Sequence, residues 1–447
     1  MVTSAITAPK PTGAGSLKNA GMAFFCLSAF YLVYCARPED WLTGVGFLPL
    51  AKITSAGAVL AFLFASGKGR RKFRDLPVEG YLLLAIIAIL MVSSMLSPIW
   101  KGGAISRTMD FAKIWVIWVL TYLLVTDLPR FRRIVYIQAV SVPLISLLSV
   151  VKGRHTVRLE GVLGGIYSNS NDLAFAIALS FPLCLMFCLS TDSRFRKFLW
   201  IAGMLAMGSA LVMTASRGGL ITFACTAVVC LWHFGVRGKR FYLIAATALA
   251  GVILFAVSGG ALMDRMSTMW GGNQGRHPLE ELRAQASLEQ RQFLIDRAVE
   301  GVKEYPILGI GTRNFETYST VWLEVHMTYL QIAVEAGIPG LILFLLFFAR
   351  GFLNLRRLRK RRDLSPELQL FVGALHSVLV GFVIGALFSP EAYQFFPFFA
   401  VAYTSALVAY VRENDRTKVA AANPVEQKFA RRVSANYSNA AGVAVNT

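Results

Sequence analysis

HMTYLQIAVEAGIPGLILFLLFFARGFLNLRRLRKRR, residues 326–362, begins with a histidine and ends in a block with seven Lys and Arg in its last thirteen positions. Between them lie some twenty mostly apolar residues. At 1.5 Å per helical residue, about 20 apolar residues cross about 30 Å of hydrocarbon. A block of cations does not follow them into lipid. The stretch therefore reads as one membrane span whose basic end faces the cytoplasm and whose histidine faces the other side.

The rest of the 447-residue chain repeats this pattern. It is 55% apolar and only 16% charged, where a soluble protein carries about 25% charge. Its mean hydropathy is +0.56. Twelve spans follow, at about 21–36, 44–66, 80–97, 109–126, 133–151, 171–190, 198–215, 218–235, 241–262, 328–349, 367–389 and 393–411. The expected fold is an all-α polytopic membrane protein with one helical periplasmic loop, 263–327, between spans 9 and 10.

The net charge of +20 has two readings, nucleic-acid binding or membrane topology. Its distribution decides. The connections GKGRRKFRD (67–75), PRFRR (129–133), SRFRK (193–197), VRGKR (236–240) and 350–362, with the two tails, hold 29 of the 45 Lys and Arg. The other side holds 14, half of them in the long, Glu-rich 263–327 loop. Both termini are therefore expected in the cytoplasm, and no nucleic acid is implied. Residues 1–20 and the tail from 412 to 447 are polar or small-residue-rich and are expected to be disordered. No A-x-A-like cleavage site follows the first apolar run, so no cleaved leader is expected. The six cysteines lie in or beside spans, with no CxxC or metal spacing, and read as small packing residues.

Within the 263–327 loop, Ser287-Leu-Glu-Gln290 fits a capping box for a helix over about 288–304, which Pro306 ends. Leu288, Arg291, Ile295, Ala298 and Val302 fall on one stripe of it. Arg291 thus shares the packed face, and a buried guanidinium needs a partner. Asp264 is one candidate; an arriving phosphate is the other. LGIG (308–311) reads as a turn.

Three more groups stand out on the same side. TASRGG (214–219) is a hairpin whose one charge is Arg217. That arginine can snorkel to headgroups, or the two glycines can bring backbone and guanidinium close to an anion. KGRHTVRLEGVLGGIYSNSND (152–172) places Arg158 in a basic run on the side where the positive-inside rule disfavours one, followed by Ser170 or Asn171 as a helix cap. In the opening stretch, Tyr329 shares the face of His326, whereas Glu335 lies about 180° away and is expected to meet another span, protonated or hydrogen-bonded. Taken alone, a single interfacial histidine is more often structural than catalytic. His233 and His376 read as structural, and His277 carries no signal. Arg37-Pro-Glu-Asp-Trp41 fits an interfacial turn anchored by its tryptophan.

Together these residues resemble the O-antigen ligase family, which includes O-antigen ligases, some O-antigen polymerases and protein O-oligosaccharyltransferases. The likeness is strongest over 158–345. It rests on RLEGVLGGIYSNSNDLA (158–174), TASRGG, the helix from Arg291 into EYPILGIGTRNF (304–315), and the His326 block. In that block the family carries His, then Asn, Ser or Gln, nine residues, and GxxG. Here Met327 takes the second position, and Gly337 and Gly340 keep the spacing.

The resemblance implies a metal-independent glycosyltransferase without a cofactor. It would move a glycan from undecaprenyl diphosphate to an acceptor hydroxyl, lipid or glycan, on the periplasmic face of a bacterial inner membrane. His326 would match the catalytic base. Arg217 and Arg291, with Arg158 third, would match the diphosphate ligands, and Tyr329, Glu335 and Asn171 would support them. The sequence holds no DxD or HExxH. A polymerase, a protein glycosyltransferase and a lipid-linked glycan transporter stay open as alternatives.

Overall fold

The computed structural model describes residues 14–42, 44–65, 69–152, 159, 167, 169–249, 251–252 and 278–422. Among these the structure is helical, with no strand. The long helices are α1 (Ala14–Ala36), α2 (Leu50–Leu63), α3 (Val78–Met95), α4 (Lys101–Leu124), α5 (Leu128–Lys152) and α6 (Ser170–Ser190). They continue with α7 (Arg194–Thr214), α8 (Arg217–Cys230), α9 (Pro278–Glu304), α10 (Thr328–Arg359), α11 (Pro366–Gly385) and α12 (Phe395–Ala422). A π-helical turn, Leu231–Val236, extends α8.

Eight helices are long and apolar enough to cross a membrane, among the described residues: α3, α5, α6, α7, α8, α10, α11 and α12. Four of the twelve expected spans are not among these eight. The apolar helices Ala20–Ala36 and Leu50–Leu63 are short. The span expected at 109–126 is the end of a helix that starts at Lys101 and carries Arg107, Asp110 and Lys113. The 241–262 region lies partly outside the described residues. Part of each tail expected to be disordered is helical, since α1 starts at Ala14 and α12 runs to Ala422; residues 1–13 and 423–447 lie outside the described residues.

In lipid, shape rather than water exclusion holds helices together. α10 is the central one and packs on α3, α9, α11 and α12. Its Phe348 ring lies 4.3 Å from Phe382 of α11, and Phe347 lies 5.4 Å from Phe398 of α12. The basic connections meet at one end of the bundle. Arg71, 6% exposed, donates to the Tyr122 and Val125 carbonyls and forks onto Glu413. Arg132 pairs with Glu367 at 3.2 Å, and Arg361 pairs with Asp363 and Asp415. The Arg37–Trp41 stretch is a self-contained turn: Arg37 ion-pairs with Glu39 and Asp40, and the Trp41 indole donates to the Ala36 carbonyl at 2.7 Å.

α10 is broken in its first third. Gly337 has φ 71° and ψ 178°, and Pro339 follows. The break leaves backbone groups without helical partners, and a buried one must find another. Val334 and Glu335 carbonyls lose their donors, because the Ile338 N–H is turned away and Pro339 has none. The 306–311 segment supplies replacements. Ile310 N–H donates to the Val334 carbonyl at 2.9 Å and Gly311 N–H to the Glu335 carbonyl at 3.0 Å. In return Ile338 N–H donates to the Pro306 carbonyl at 2.8 Å.

Hydroxyls near the end of α3 and just beyond it fasten the same seam: Ser93 donates to the Glu335 carbonyl at 2.8 Å and Ser97 to the Ile310 carbonyl at 2.5 Å. Gly337 thus serves a helix break and a docking seam, not only close helix packing. A Cβ there would lie 2.2 Å from the Ile307 carbonyl oxygen, and one on Gly309 (φ 69°) 2.5 Å from the Glu335 carbonyl carbon.

Gly337→Ala and Gly309→Ala combine a left-handed φ with a backbone clash. Each is expected to destabilise by at least about 2–3 kcal/mol, read as a drop in thermal midpoint in detergent. Gly208→Ala, with nothing within 4 Å of the added methyl, is the control and should melt as wild type. Equal midpoints for all three would contradict the seam.

Candidate functional site

The docked segment positions α9. Gly301 of α9 lies so close to α10 that a Cβ would be 2.7 Å from Val334 Cγ2. Leu294 and Ala298, 1% and 0% exposed, complete the packed stripe with Ile310, Phe315 and Val325. α9 begins at Pro278, so Ser287–Gln290 lies inside the helix rather than at its start. The buried stripe runs through Leu294, Ala298 and Gly301, while Ile295 is exposed. Arg291, one turn before Leu294, stays on that face and is half-buried. Asp264 and Arg158 lie outside the described residues.

Arg291 faces a narrow cleft lined also by Asn171, Phe175, Ser216, Gly218, Gly219, Thr222, Gly385, Phe388 and Ser389. Ser216 caps α8, accepting from Gly219 N–H at 3.2 Å, and donates to the Asn171 side-chain oxygen at 2.8 Å. Asn171 therefore joins α6 to the hairpin. The cap of α6 is Asn169, which accepts from Asn171 N–H at 2.9 Å, rather than Ser170 or Asn171.

Arg217 is the first residue of α8, half-buried, between two residues that line the cleft. The turn before it is made by Ala215 at φ 49°. The two glycines serve approach instead: a Cβ on Gly219 would meet Ala174 Cβ at 2.4 Å, and one on Gly218 would meet Phe388 Cβ at 2.8 Å. They draw the cationic helix start onto α6 and the 385–389 connection.

His326 is half-buried just before α10. Among the described residues its ring has no hydrogen-bond partner. Burial, and then the charge of Arg291, holds its pKa below the usual 6.5. A neutral imidazole with free nitrogens is the form that accepts a proton. Met327 occupies the N-cap position of α10 without a side-chain cap and packs against the α9 cluster. Tyr329 donates to the Val383 carbonyl at 2.8 Å, and the buried Glu335 accepts from the Tyr393 hydroxyl. The structure thus groups His326, Arg291, Asn171 and the Arg217 hairpin, and gives Tyr329 and Glu335 other partners.

A second set of charges was not singled out from the sequence. Arg313, at φ 54°, lies 3.8 Å from Glu324, and its carbonyl accepts from Arg107 at 2.9 Å. Glu391 accepts from the Ser389 hydroxyl at 2.7 Å. Burial pushes Glu324 up to about 7 against the pull of Arg313, and lifts Glu391 well above the carboxylate range, with Asp172 adding to both. No spacing rule connects 172, 313, 324 and 391; only the fold does. Near the opposite, basic end, His233 Nε2 and His376 Nδ1 are bonded at 3.1 Å, a structural pairing the sequence could not show.

The fold and cleft define a polytopic helical membrane protein with a cationic site at the end away from its basic connections. Residues 202–345 match the family model described as O-antigen ligase. That span contains Arg217, Arg291 and His326. The exopolysaccharide production protein ExoQ of Rhizobium meliloti (strain 1021) is 23% identical over 236 residues, 47% of this chain and 50% of that relative. The match thus spans half of the relative's length. Over residues 202–345 the chain is thus similar to the O-antigen ligase family.

The Arg291 charge opposes protonation of His326, so removing it must raise the ring's pKa. In an NMR titration of ring-labelled protein, His326 should titrate below 6.5 and move up toward it in Arg291→Gln. An unmoved midpoint would remove the electrostatic contact.

Proposed function

We propose that the protein transfers a glycan from a polyprenyl diphosphate, undecaprenyl diphosphate in a bacterial inner membrane, to an acceptor hydroxyl. The observation that carries this is His326, whose pKa is lowered by burial and by the charge of Arg291, the arginine that lines the cleft beside the Arg217 hairpin. The acceptor hydroxyl attacks the anomeric carbon, and the bond from that carbon to the diphosphate oxygen breaks with inversion. His326 takes the hydroxyl proton. The negative charge gathering on the leaving diphosphate is met by Arg217 and Arg291, with Arg158 a third cation. Arginine forks bind phosphate oxygens in pairs and need no metal to do so. The positive-inside rule assigns the basic end to the cytoplasm, with both termini, and the cleft to the periplasmic side.

A second reading concerns the acceptor alone. The likeness to an exopolysaccharide production protein favours joining repeat units into polymer over transfer to a lipid. Incubating the reconstituted protein with lipid-linked repeats and nothing else separates the two: chain growth without added acceptor means polymerase.

His326→Ala should lower the transfer rate by roughly 10²–10⁴. Arg217→Lys and Arg291→Lys should each cost roughly 10–10³, since a point charge replaces a fork. Wild-type rates in His326→Ala would remove the base role. Full activity in both Lys variants would remove the bidentate grip.

A further inference from the structure

Two half-buried imidazoles at the basic end of the bundle take no part in the transfer chemistry. His233 lies in the π-helical turn that extends α8, and such turns often mark functional positions. Arg237 N–H closes the turn by donating to the Trp232 carbonyl at 2.9 Å. Gly373 of α11 lets the turn come close: a Cβ there would lie 3.0 Å from Phe234 Cε1 and 3.3 Å from His233 Cβ. The approach brings His233 Nε2 within 3.1 Å of His376 Nδ1. That bond uses one nitrogen of each ring, and the second nitrogens have no hydrogen bond among the described residues. Whichever ring donates in the pair, the other keeps a free N–H on its second nitrogen.

Cations surround the pair. Phe352 of α10 packs against His376, with ring centres 5.9 Å apart. Arg359 stands two turns further along the same face, and helical side chains lean toward the N-terminus, here toward the rings. The charges of Arg359 and Arg237 both act on His233, Arg359 acts on His376, and the two arginines act on each other. Among the described residues no carboxylate acts on either ring. The carboxylates nearby are taken: Asp363 and Asp415 by Arg361, Glu367 by Arg132, Glu413 by Arg71 and Glu79 by Arg350. Like charges held together without a counter-ion repel, so the cluster suits an anion and disfavours a metal cation on the rings. The rim is apolar, for Trp232 and Leu353, next to His233 and Phe352, are exposed. A lipid answers both halves, with acyl chains for the rim and a phosphate for the cations.

We propose that His233, His376, Arg237 and Arg359 form a binding site for the phosphate group of an anionic lipid. A free ring N–H and the two guanidiniums donate to the phosphate oxygens, and the acyl chains lie along Trp232 and Leu353. The bound lipid joins the ends of α8, α10 and α11. The site lies at the opposite end from the cleft and is independent of the glycan-transfer reading.

The test titrates the full-length protein in neutral detergent with phosphatidylglycerol or phosphatidylcholine and reads bound lipid by native mass spectrometry. Phosphatidylglycerol should bind roughly tenfold more tightly or better. The double variant Arg237→Gln/Arg359→Gln should lose most of that preference, and His376→Phe, which removes the ring nitrogens, should weaken phosphatidylglycerol binding roughly tenfold. Arg194→Gln/Arg196→Gln takes the same charge from the exposed start of α7 and should stay within about twofold of wild type. Equal affinity for the two lipids, wild-type preference in the Arg237/Arg359 variant, or an equal loss in the α7 control would overturn the site. A second arm adds inorganic phosphate to protein in phosphatidylcholine nanodiscs and reads the thermal midpoint. Stabilisation equal to that given by phosphatidylglycerol nanodiscs would refute the lipid as the carrier of the phosphate; a smaller effect supports it.

Discussion

Three backbone hydrogen bonds between residues 306–311 and the break in α10 fix the position of everything at this end of the molecule. A helix crossing lipid must satisfy its own carbonyls, and α10 does not. Gly337 takes a left-handed turn and Pro339 lacks an N–H, so two carbonyls face outward in the protein interior. The segment that answers them is the one that follows α9. Docking it therefore sets the register of α9 on α10, and with it the place of Arg291 over the cleft and beside His326. The GxxG of the family pattern is in this light a backbone device that brings a distant arginine to a histidine eleven residues before the break.

The sequence carried the architecture where periodicity and charge are strong. Long apolar runs alternating with basic connections identified the helices, and the basic connections do meet at one end. Arg291 was legible because a guanidinium on an apolar stripe is conspicuous, even though the stripe itself is set one residue away from the one expected. Span counting was less secure, since short helices such as Leu50–Leu63 and a charged one such as Lys101–Leu124 satisfy a hydropathy pattern without satisfying length and charge together. The capping box at Ser287 failed because good helix formers upstream continue the helix back to Pro278. The close backbone approach expected of the glycines at 218–219 is made to Ala174 and Phe388. The Arg313, Glu324 and Glu391 group was invisible, for its members come from separate connections with no common spacing.

The end of the molecule that holds His326 is chemically two-sided. Arg217 and Arg291 approach from α8 and α9. Asp172, Glu324 and Glu391 approach from α6 and the connections around α10. Burial lifts Glu324 and Glu391 toward their neutral forms, which limits repulsion among them and leaves hydrogen-bonding groups rather than bare charges. His326 sits where the two meet. Its environment, low in polarity and close to a cation, favours the neutral ring. Under the proposed transfer, a base kept neutral next to the cations that would receive the leaving group is the arrangement a single displacement requires.

The central claim is that His326 and Arg291 act on one reacting centre. A double-mutant cycle on single-turnover transfer tests it, using His326→Ala, Arg291→Ala and the pair. If both groups serve the same transition state, the losses are strongly non-additive, and the double variant falls little below the worse single one. Multiplicative losses, each variant costing in the other's background what it costs alone, would show two independent sites and contradict the account.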